Sequence, residues 1–591
     1  MSHLQNRVSI QPLLPIRLTT EETTNTYHQY PYHTLVKGRI FNGFASLAKW
    51  MVGEKVVLID GYVGVFWEEV KEQLEKEITR AGYAARFHFS SDYLKPAAEI
   101  TEMVRPDLGE DRSVWGKRTA LELEDFYRTD DFYQLNNCKK DADLIVVLGV
   151  GAGLLSLDAP LVYLDVPKNE IQYRTRAGAI HNLGMDAAIT ASAMYKQFYF
   201  VDWVVLNAHK KAILERISII ADVQWEKDIN WMFFSNLVAT ANVLGKGVFR
   251  ARPWFEKGVW GGQWMKEHLK GLNPDEVNYA WSFELITPEN GLVFEHDGYL
   301  QEVAFDFLML LQHRQILGIH AETFGTDFPI RFDFLDTFSG GDLSIQCHPS
   351  KEYINKEFGE QITQDETYYI MDCKPGAKVY LGFQEDIDRD DFKIALEDSF
   401  KQGNEVNITQ YVQELPAAKH DFFLIPNQTI HSAGADNLVL EISATPYIFT
   451  FKMYDWVRLD LNNKPRPINI EHAFKNLDFE RKGNKVQDEL IAKPRLIEKG
   501  PDWQVIHLPT HQVHFYDVER IEFQTTLALQ KDNRCWVMML VEGEAITVQT
   551  NDGKVQYFNY AETFVISASA QSLEFTNTGT SVAKLIKAYL K

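Results

Sequence analysis

The stretch Leu343-Ser344-Ile345-Gln346-Cys347-His348-Pro349 indicates more about the fold than any other part of this sequence. Neighbouring side chains in an extended strand point to opposite faces, and residues two apart share a face. Gln346 and His348 therefore project together, while Ile345 and Cys347 face the other side. This pattern predicts a strand that presents two possible metal ligands on one face.

Two further polar residues lie in later strand-like segments, Glu366 in Asp365–Ile370 and His431 in Leu424–Gly434. A pair on one strand, a carboxylate on the next and a histidine from a later strand can converge inside a small barrel. Two imidazoles, one carboxylate and one amide oxygen suit Zn²⁺ or another borderline divalent ion. Taken singly, each histidine is more often a core or surface residue, so the prediction depends on the four residues together.

Length and charge restrict the class of protein. At about 100–200 residues per domain, 591 residues and 68.1 kDa suggest three or four compact units. Lys and Arg number 60 against 82 Asp and Glu, a net charge of −22. This acidity disfavours a nucleic-acid partner, because phosphate backbones need a basic face.

The length of the apolar runs and the spacing of the cysteines indicate the cellular compartment of the protein. No segment reaches the roughly 18 apolar residues of a membrane span, and the polar stretch 1–25 does not resemble a secretory signal. The cysteines, Cys138, Cys347, Cys373 and Cys535, lie far apart, which fits a reducing compartment. We therefore expect a cytoplasmic protein without a membrane partner.

The first 240 residues show an α/β pattern. Short apolar runs read as buried strands, and Val70, Leu74 and Ile78 recur at helical spacing. Strands that alternate with helices predict a mostly parallel sheet covered on both faces. The predicted strands are 55–60, 144–149 and 161–165, and the predicted helices are 67–81, 187–198 and 210–220.

A turn in this domain stands where a phosphate-binding loop would be. The predicted strand ends in Asp60-Gly61-Tyr62-Val63-Gly64, but Val65, Phe66 and Trp67 follow instead of the Lys and hydroxyl residue that such a loop needs. With Tyr163–Pro167 and the pair Arg174 and Arg176, the layout loosely resembles the uridine kinase group of P-loop kinases. The resemblance covers about residues 50–220 and implies that the domain at 1–240 has a kinase-like fold that does not transfer phosphate.

A second glycine-rich stretch follows a strand at Gly149-Val150-Gly151-Ala152-Gly153. Leu154 stands where the third glycine of a dinucleotide fingerprint would be. We therefore predict no cofactor-binding residues in this domain.

After Arg250 the sequence becomes rich in short strands and turns, with helical stretches at 299–320 and 388–402. Closely spaced strands favour barrels or sandwiches. Eight motifs occur in order: Arg252-Pro253-Trp254-Phe255, Trp260-Gly261-Gly262, Trp281-Ser282-Phe283-Glu284, Leu343–Pro349, Asp365–Ile370, Phe422–Gly434 with Leu440-Glu441-Ile442, Tyr454-Asp455-Trp456-Val457-Arg458 and Asn463-Lys464-Pro465-Arg466.

This ordered set resembles the type I phosphomannose isomerases, zinc enzymes of the cupin superfamily. Together with the α/β pattern of the first 240 residues, this resemblance, which covers about residues 250–591, implies a multidomain chain with an N-terminal α/β domain and then cupin-type β-barrel or sandwich domains with a helical insertion. It divides the chain into an α/β domain at 1–240, a metal-binding cupin isomerase domain at 250–490 and a C-terminal cupin-like β domain at 500–591.

The resemblance also implies an activity, the interconversion of mannose 6-phosphate and fructose 6-phosphate through an enediol. By position, Gln346, His348, Glu366 and His431 would bind one Zn²⁺ per chain, with a sugar phosphate as the partner. The corresponding catalytic residues would be Lys452, Glu441 and Arg458.

The sequence differs from this family at positions where relatives have positively charged side chains. Asp333 and Gln364 stand where relatives have lysines, and Lys452 stands where they have an arginine. A non-catalytic metal-cupin protein that binds a sugar phosphate or acts in regulation is therefore an alternative. An iron oxygenase is a third possibility, but it needs open positions on a facial triad, and the Gln346 ligand argues against it.

Overall fold

The structure is a computed structural model that describes residues 6–18, 26–109, 113–137, 142–445, 448–460, 465–551 and 553–591. Cys138, and Asn463 and Lys464 of the last motif, lie outside the described residues. Across these ranges no helix has both the length and the apolar character needed to cross a membrane.

The strands alternate with turns through most of the chain. In chain order they are β1 Tyr32–Thr34, β2 Phe41–Asn42, β3 Val56–Gly61, β4 Ala85–Phe89, β5 Leu144–Leu148, β6 Leu161–Asp165, β7 Ile217–Asp222, β8 Asn230–Phe233, β9 Val248–Phe249, β10 Trp254–Glu256, β11 Trp281–Leu285, β12 Gly291–His296, β13 Tyr299–Ala304, β14 Ile330–Asp336, β15 Ile345–Cys347, β16 Glu366–Cys373, β17 Lys378–Phe383, β18 Val412–Pro416, β19 Phe422–Ile425, β20 His431–Ala433, β21 Asn437–Ala444, β22 Phe451–Tyr454, β23 Arg495–Lys499, β24 Trp503–Leu508, β25 Tyr516–Phe523, β26 Thr526–Leu529, β27 Trp536–Glu542, β28 Ala545–Gln549, β29 Val555–Asn559, β30 Thr563–Ile566, β31 Leu573–Asn577 and β32 Ala583–Leu590.

The α-helices are concentrated in the first half of the chain. They are α1 Phe44–Met51, α2 Trp67–Arg80, α3 Ala97–Leu108, α4 Thr129–Phe132, α5 Lys168–Arg176, α6 Ala191–Gln197, α7 Trp203–Ile213, α8 Phe234–Leu244, α9 Trp264–His268, α10 Phe305–Leu317, α11 Ala321–Phe324, α12 Lys351–Phe358, α13 Arg389–Gln402, α14 Ile470–Phe474 and α15 Asn484–Glu489.

The chain divides into two compact units that are not contiguous in sequence. Unit 1 comprises Met1–Glu22, Tyr30–Val243 and Pro288–Leu311, and unit 2 comprises Thr23–Gln29, Leu244–Thr287 and Gln312–Lys591. The predicted division at 1–240, 250–490 and 500–591 assumed contiguous domains. It did not foresee that 288–311 packs with the α/β part, or that the described residues 26–29 pack with the later part.

Unit 1 contains a seven-stranded sheet in the order β2-β8-β7-β6-β3-β5-β4. The strands β3 to β7 run parallel, whereas β8 pairs antiparallel with both of its neighbours, β7 and β2. Every residue of β3, β5 and β6 is buried, because both faces of a parallel sheet are covered by helices. Helix α2 buries Val70, Leu74 and Ile78 as the sequence spacing predicted.

Two predicted helices are partly strands. The predicted helix 210–220 ends at Ile213, and Ile217–Asp222 is β7. Its β-branched isoleucines suit a buried strand between β6 and β8 better than a helix. The predicted helix 299–320 begins only at Phe305, because Tyr299–Ala304 pairs with β12 as β13. The predicted helix 388–402 is α13.

The hairpin of β12 and β13 explains why 288–311 belongs to unit 1. It joins β1 in a three-stranded sheet, and β13 crosses the carboxyl ends of β6 and β7. The Ala304 amide donates to Asp165 Oδ2 at 2.7 Å, and the Glu302 amide donates to Asp222 Oδ2 at 2.9 Å. Backbone donors from the hairpin thus satisfy the carboxylates at these strand ends.

Unit 2 contains two pairs of sheets, each pair around its own apolar core. The first pair has the orders β10-β11-β14-β21-β16-β19 and β18-β17-β20-β15-β22, and both sheets contribute to one core that includes Tyr368, Ile370 and Leu381. The second pair has the orders β23-β24-β25-β32-β27-β30-β9 and β26-β31-β28-β29, with a core that includes Phe523 and Phe575. The candidate site lies in the first pair.

Candidate metal centre

Strand register brings the four predicted metal ligands together. In the five-stranded sheet, Gln346 of β15 lies opposite His431 of β20, and His348 follows β15 directly. Glu366 is the first residue of β16 in the facing sheet. Tyr368 shares the face of Glu366, because it lies two residues along the strand, and it belongs to the core between the sheets. The Glu366 side chain therefore points inward.

The side-chain atoms of these residues converge on one buried point. His348 Nε2 lies 2.9 Å from Glu366 Oε1, and His431 Nε2 lies 3.2 Å from Glu366 Oε2. Gln346 Nε2 lies 3.3 Å from His431 Nε2. One ligand atom from each of His348, Glu366 and His431 lies within 4.8 Å of the others. In the described part of the chain, no other group of three His, Cys, Asp or Glu side chains is close enough to hold a metal ion.

The backbone orients both imidazole rings. His348 Nδ1 lies 3.0 Å from the Phe449 carbonyl, and His431 Nδ1 lies 2.9 Å from the Thr429 carbonyl. Because a carbonyl can only accept, each Nδ1 carries the proton, and each Nε2 lone pair faces Glu366. This arrangement of a backbone acceptor behind a histidine is typical of metal ligands.

Two atoms at the centre of the group lack a hydrogen bond. His348 Nε2 and Glu366 Oε2 are buried, and neither has a partner of suitable geometry among the described residues. Burial raises the pKa of Glu366, but positive charge on His348 and His431 would outweigh burial and hold this pKa well below its usual value. With neutral imidazoles, as the Nδ1 contacts indicate, a bound cation would supply that charge. Glu366 is therefore a buried carboxylate in its ionised form, which costs free energy unless a cation or donors stabilise it.

Two further side chains form hydrogen bonds to the predicted ligands Gln346 and Glu366. Ser344 Oγ donates to Gln346 Oε1 at 3.0 Å. Gln364 Nε2 donates to Glu366 Oε1, while Gln364 Oε1 has no partner in the described ranges. The amide at position 364 thus keeps a direct contact with the candidate ligand, although it lacks the charge of a lysine.

A buried ionic cluster lies on the same interior face. Arg331 Nε donates to Asp333 Oδ1 at 2.9 Å, and the same guanidinium pairs with Glu441 Oε1. In the sheet register, Arg331 lies in one row with Ser443 and Glu366, and Asp333 lies in the next row with Glu441 and Tyr368. Burial, opposed by Arg331, raises the pKa of Asp333 to about 6.

The predicted catalytic residues have different surroundings. Glu441 is part of the Arg331 cluster, and Ser443 Oγ also donates to its Oε1 at 2.9 Å. Lys452 of β22 is half-buried and lies opposite Gln346 on the neighbouring strand. Burial, with repulsion from Arg466 and Arg458, lowers the pKa of Lys452 to about 8 against the attraction of Asp455.

Arg458 is engaged with its own loop. Its guanidinium lies 2.6 Å from Asp455 Oδ1, and Arg466 pairs with the other oxygen of Asp455. The two preceding residues, Trp456 and Val457, have left-handed backbones with φ of 56° and 55°, which is strained for a β-branched residue. Arg458 and Arg466 line a cavity of about 200 Å³. The predicted role of Arg458 stays a prediction.

The sequence analysis missed Arg331 and Tyr368. Arg331 shares its strand face with Asp333, so alternation along β14 could have indicated a nearby cation. The Tyr368 hydroxyl is buried without a partner in the described structure, and its ring lies 6.0 Å from that of His431. The Asp365–Ile370 motif contains this tyrosine, but the sequence analysis did not single out its hydroxyl.

A family model described as a domain of unknown function (DUF8485) matches residues 43–244. This description carries no function, so the resemblance of this region to uridine kinases stays a prediction.

The chain is also similar to two proteins of Bacillus subtilis (strain 168). It is 26% identical to mannose-6-phosphate isomerase ManA over 227 residues, 38% of this chain and 67% of that protein. It is 26% identical to the probable mannose-6-phosphate isomerase GmuF over 37% of this chain and 65% of that protein. The match thus spans about two thirds of the length of these relatives.

Among solved structures, the mannose 6-phosphate isomerase from Bacillus subtilis matches 58% of this chain and 100% of its own, with 20% identity and a TM-score of 0.47. The sequence matches to curated proteins, together with the ordered motifs, show that this chain contains a region related to the mannose-6-phosphate isomerases.

Proposed function

We propose that unit 2 contains a zinc-dependent isomerase that interconverts mannose 6-phosphate and fructose 6-phosphate through an enediol. The observation that carries this proposal is the convergence of His348, Glu366 and His431 on one buried point in a chain with isomerase relatives. Relatives of this identity do not settle the substrate, so the reaction remains the proposal.

The residues fit a divalent ion. Buried His348 Nε2 and Glu366 Oε2 lack hydrogen bonds within the described ranges, and both imidazoles have their lone pairs oriented by backbone carbonyls. Gln346 would complete the set if its amide oxygen faced His431, since the amide nitrogen could then donate to Ser344 Oγ. When bound, such an ion would polarise sugar oxygens and stabilise negative charge on them.

The chain's own residues would move the proton between C2 and C1 of the sugar. We assign this transfer to the Glu441 carboxylate, because Arg331 and Ser443 fix its orientation. Lys452 Nζ has a pKa of about 8, so near neutral pH its ammonium can donate a proton or stabilise a developing enediolate. Arg458 would hold the phosphate or brace the loop.

One observation favours the alternative of a non-catalytic sugar-phosphate binding or regulatory protein. Isomerase relatives have a lysine at the position of Asp333. Here the position carries a carboxylate that pairs with Arg331, so it offers no positive charge to a ligand. Together with Gln364, this removes two positive charges from the region that would receive an anionic substrate. Metal binding would persist in this case, but turnover would not.

The decisive experiment measures turnover and metal content on the same preparation of full-length protein. A coupled assay with mannose 6-phosphate should show isomerisation, and elemental analysis should show about one zinc per chain. His348→Ala and His431→Ala should lose the metal and lower turnover by at least about 1000-fold. His507→Ala is the control, because this histidine pairs with Asp517 in the second pair of sheets.

The outcomes separate the hypotheses. Metal without turnover would support the binding or regulatory protein. A full metal content in both histidine variants would overturn the assignment of the metal centre.

A further inference from the structure

The loop that joins β19 to β20 contacts both histidines of the candidate metal centre. This loop, residues 426–429, ends two residues before His431, which is the first residue of β20. The Gln428 amide donates to the His348 carbonyl at 2.9 Å, and the Thr429 carbonyl lies 2.9 Å from His431 Nδ1. The position of the loop therefore helps to fix the backbone of His348 and the ring of His431.

The same loop is bonded to the strand of the third candidate ligand. The Asn427 amide and Asn427 Nδ2 each donate to Asp365 Oδ1 at 2.8 Å. Asp365 directly precedes Glu366, the carboxylate of the metal centre. One loop of four residues thus has hydrogen bonds to His348, to His431 and to the residue beside Glu366.

The backbone of this loop is strained at Gln428. Its φ is 71°, in the left-handed region that favours glycine. The Thr429 amide donates to the Pro426 carbonyl at 3.2 Å, which makes Gln428 the third residue of a β-turn, where a positive φ usually requires glycine. Such strain persists only where surrounding contacts hold the backbone. Here the Asp478 amide donates to the Gln428 carbonyl at 3.0 Å, and Gln428 Nε2 donates to the Asn476 carbonyl at 2.7 Å.

Arg481 connects three of the four residues of the loop. Its Nη1 lies 3.1 Å from the Pro426 carbonyl, and it also donates to the Asn427 carbonyl and to Thr429 Oγ1. Its Nε lies 3.2 Å from Asp478 Oδ2, and the side chain is only 12% exposed. A guanidinium stays charged and planar, so it can hold these acceptors in one arrangement. None of these acceptors belongs to a candidate metal ligand, so an effect of Arg481 on the metal centre passes through the loop.

Buried cations of unit 1 have a different kind of partner. Lys168 Nζ and Lys210 Nζ each lie 2.9 Å from Asp306 Oδ2. Backbone amides at a strand end attract anions, and Asp60 already accepts from the amides of two residues that follow β5. Carboxylates of the chain thus occupy the anion positions at this edge and balance charge. Arg481 Nη1 instead meets uncharged acceptors of one loop, which fixes a geometry.

We propose that Arg481 is a positioning residue that holds residues 426–429, and through them His348 and His431, in the geometry of the metal centre before an ion binds. The inference rests on the metal centre of the proposed function, but not on the sugar that reacts there. A site formed in advance binds with less loss of conformational freedom, and groups behind metal ligands typically change metal affinity by about 10–100-fold. Arg481 therefore raises metal affinity without touching the ion.

The first test measures metal affinity of the full-length protein, which is stripped of metal and titrated with Co²⁺ in competition with a chelator. Arg481→Met should lower the affinity by at least about tenfold and change the visible absorption spectrum of bound Co²⁺, because the histidine geometry relaxes. Arg481→Lys should recover part of the loss, because it keeps the charge but not the planar guanidinium. Arg520→Met is the matched control, because Arg520 is 13% exposed and pairs with Glu522 in the second pair of sheets. It should leave affinity and spectrum unchanged.

The second test measures hydrogen exchange and begins with the wild type. In the metal-free wild type, the amides of Gln428 and Thr429 should exchange as slowly as in the Co²⁺-loaded protein, because Arg481 already holds the loop. In metal-free Arg481→Met they should exchange at least about tenfold faster, while the amides of β16 stay protected.

Two outcomes would overturn the inference. The first is wild-type affinity and an unchanged Co²⁺ spectrum in Arg481→Met. The second is fast exchange of Gln428 and Thr429 in the metal-free wild type, a measurement that remains valid even if Arg481→Met does not fold. Neither test uses turnover, so a wild type that binds Co²⁺ without isomerising mannose 6-phosphate would count against the proposed reaction alone.

Discussion

The interior of the first sheet pair in unit 2 and the carboxyl edge of the sheet in unit 1 both contain buried carboxylates, but they satisfy them differently. In unit 1, Asp60, Asp165 and Asp222 accept hydrogen bonds from backbone amides of other segments. In unit 2, Glu366 faces two imidazoles, and its Oε2 lacks a hydrogen bond from any described residue. Both regions are buried to a similar extent, so burial alone does not distinguish them.

The difference indicates where a ligand is needed. A buried polar atom without a partner costs about 1–3 kcal/mol, so native proteins rarely keep one unless a ligand, ion or water satisfies it. At the carboxyl ends of β3, β6 and β7 in unit 1, Asp60, Asp165 and Asp222 already accept hydrogen bonds from backbone amides, so no ligand is needed there. The histidine and glutamate group of unit 2 leaves one such oxygen without a donor and could hold a cation there. Substitutions should therefore affect mainly stability in the first region and mainly activity in the second.

The largest effect is expected from Asp306→Asn in unit 1. This change leaves the buried ammonium groups of Lys168 and Lys210 without their carboxylate, which typically costs about 3–5 kcal/mol. Hydrogen exchange of the amides of β6 and β7 in the full-length protein should accelerate accordingly. Metal content should not change.

Two further variants sharpen this prediction. Glu75→Gln breaks the exposed Lys71–Glu75 pair on α2 and should change stability by less than about 1 kcal/mol. Adding Lys168→Met to Asp306→Asn should recover part of the loss, because one uncompensated charge is removed. Unchanged exchange in the Asp306 variant would contradict the view that this edge is closed by ion pairing.

The next largest effect concerns Asp333 in unit 2 and depends on pH. Its pKa is raised from 3.8 to about 6 in the folded state, so between these values the folded protein binds the proton more tightly than the unfolded chain. The stability that this group contributes therefore falls as pH rises from about 4 to 6. A shift of about two units corresponds to about 3 kcal/mol.

Asp333→Asn removes this titration. The wild type should lose stability relative to the variant as pH rises from 4 to 7, measured by urea unfolding at each pH. A difference between the two proteins that stays constant over this range would contradict the prediction.

Lys452→Met should lower kcat/KM by at least about 100-fold, or about 2.7 kcal/mol of transition-state stabilisation. The reason is that the half-buried ammonium lies across from Gln346 and has a pKa of about 8. Zinc content should stay the same. Lys452→Arg keeps the positive charge and restores the residue that isomerase relatives have at this position, so it should retain most of the turnover.

The smallest effect is expected from Arg458→Met. This arginine already pairs with Asp455, which Arg466 also contacts, so its loss should mainly raise KM by about fivefold, or about 1 kcal/mol. Steady-state kinetics with mannose 6-phosphate measure this change. Near-wild-type kinetics in both the Lys452 and Arg458 variants would instead contradict the catalytic roles proposed for these two residues.

Local sequence patterns predicted elements well where one signal dominated. The apolar runs at 144–149 and 161–165 are β5 and β6, and the four-residue spacing of Val70, Leu74 and Ile78 is the buried face of α2. The same reasoning was wrong at 217–220 and 299–304. There a short apolar run can be either a helix or a strand, and the partner strand decides.

The sequence by itself also predicted the members of the candidate metal centre, since strand alternation and motif order grouped Gln346, His348, Glu366 and His431. Only the tertiary structure revealed that Arg331 holds Glu441, a residue 110 positions away. It alone showed that Asp60 and Asp306 occupy the positions where an anion would bind in unit 1. Such pairings depend on which distant side chains and amides meet across sheets, and local periodicity contains no information about that.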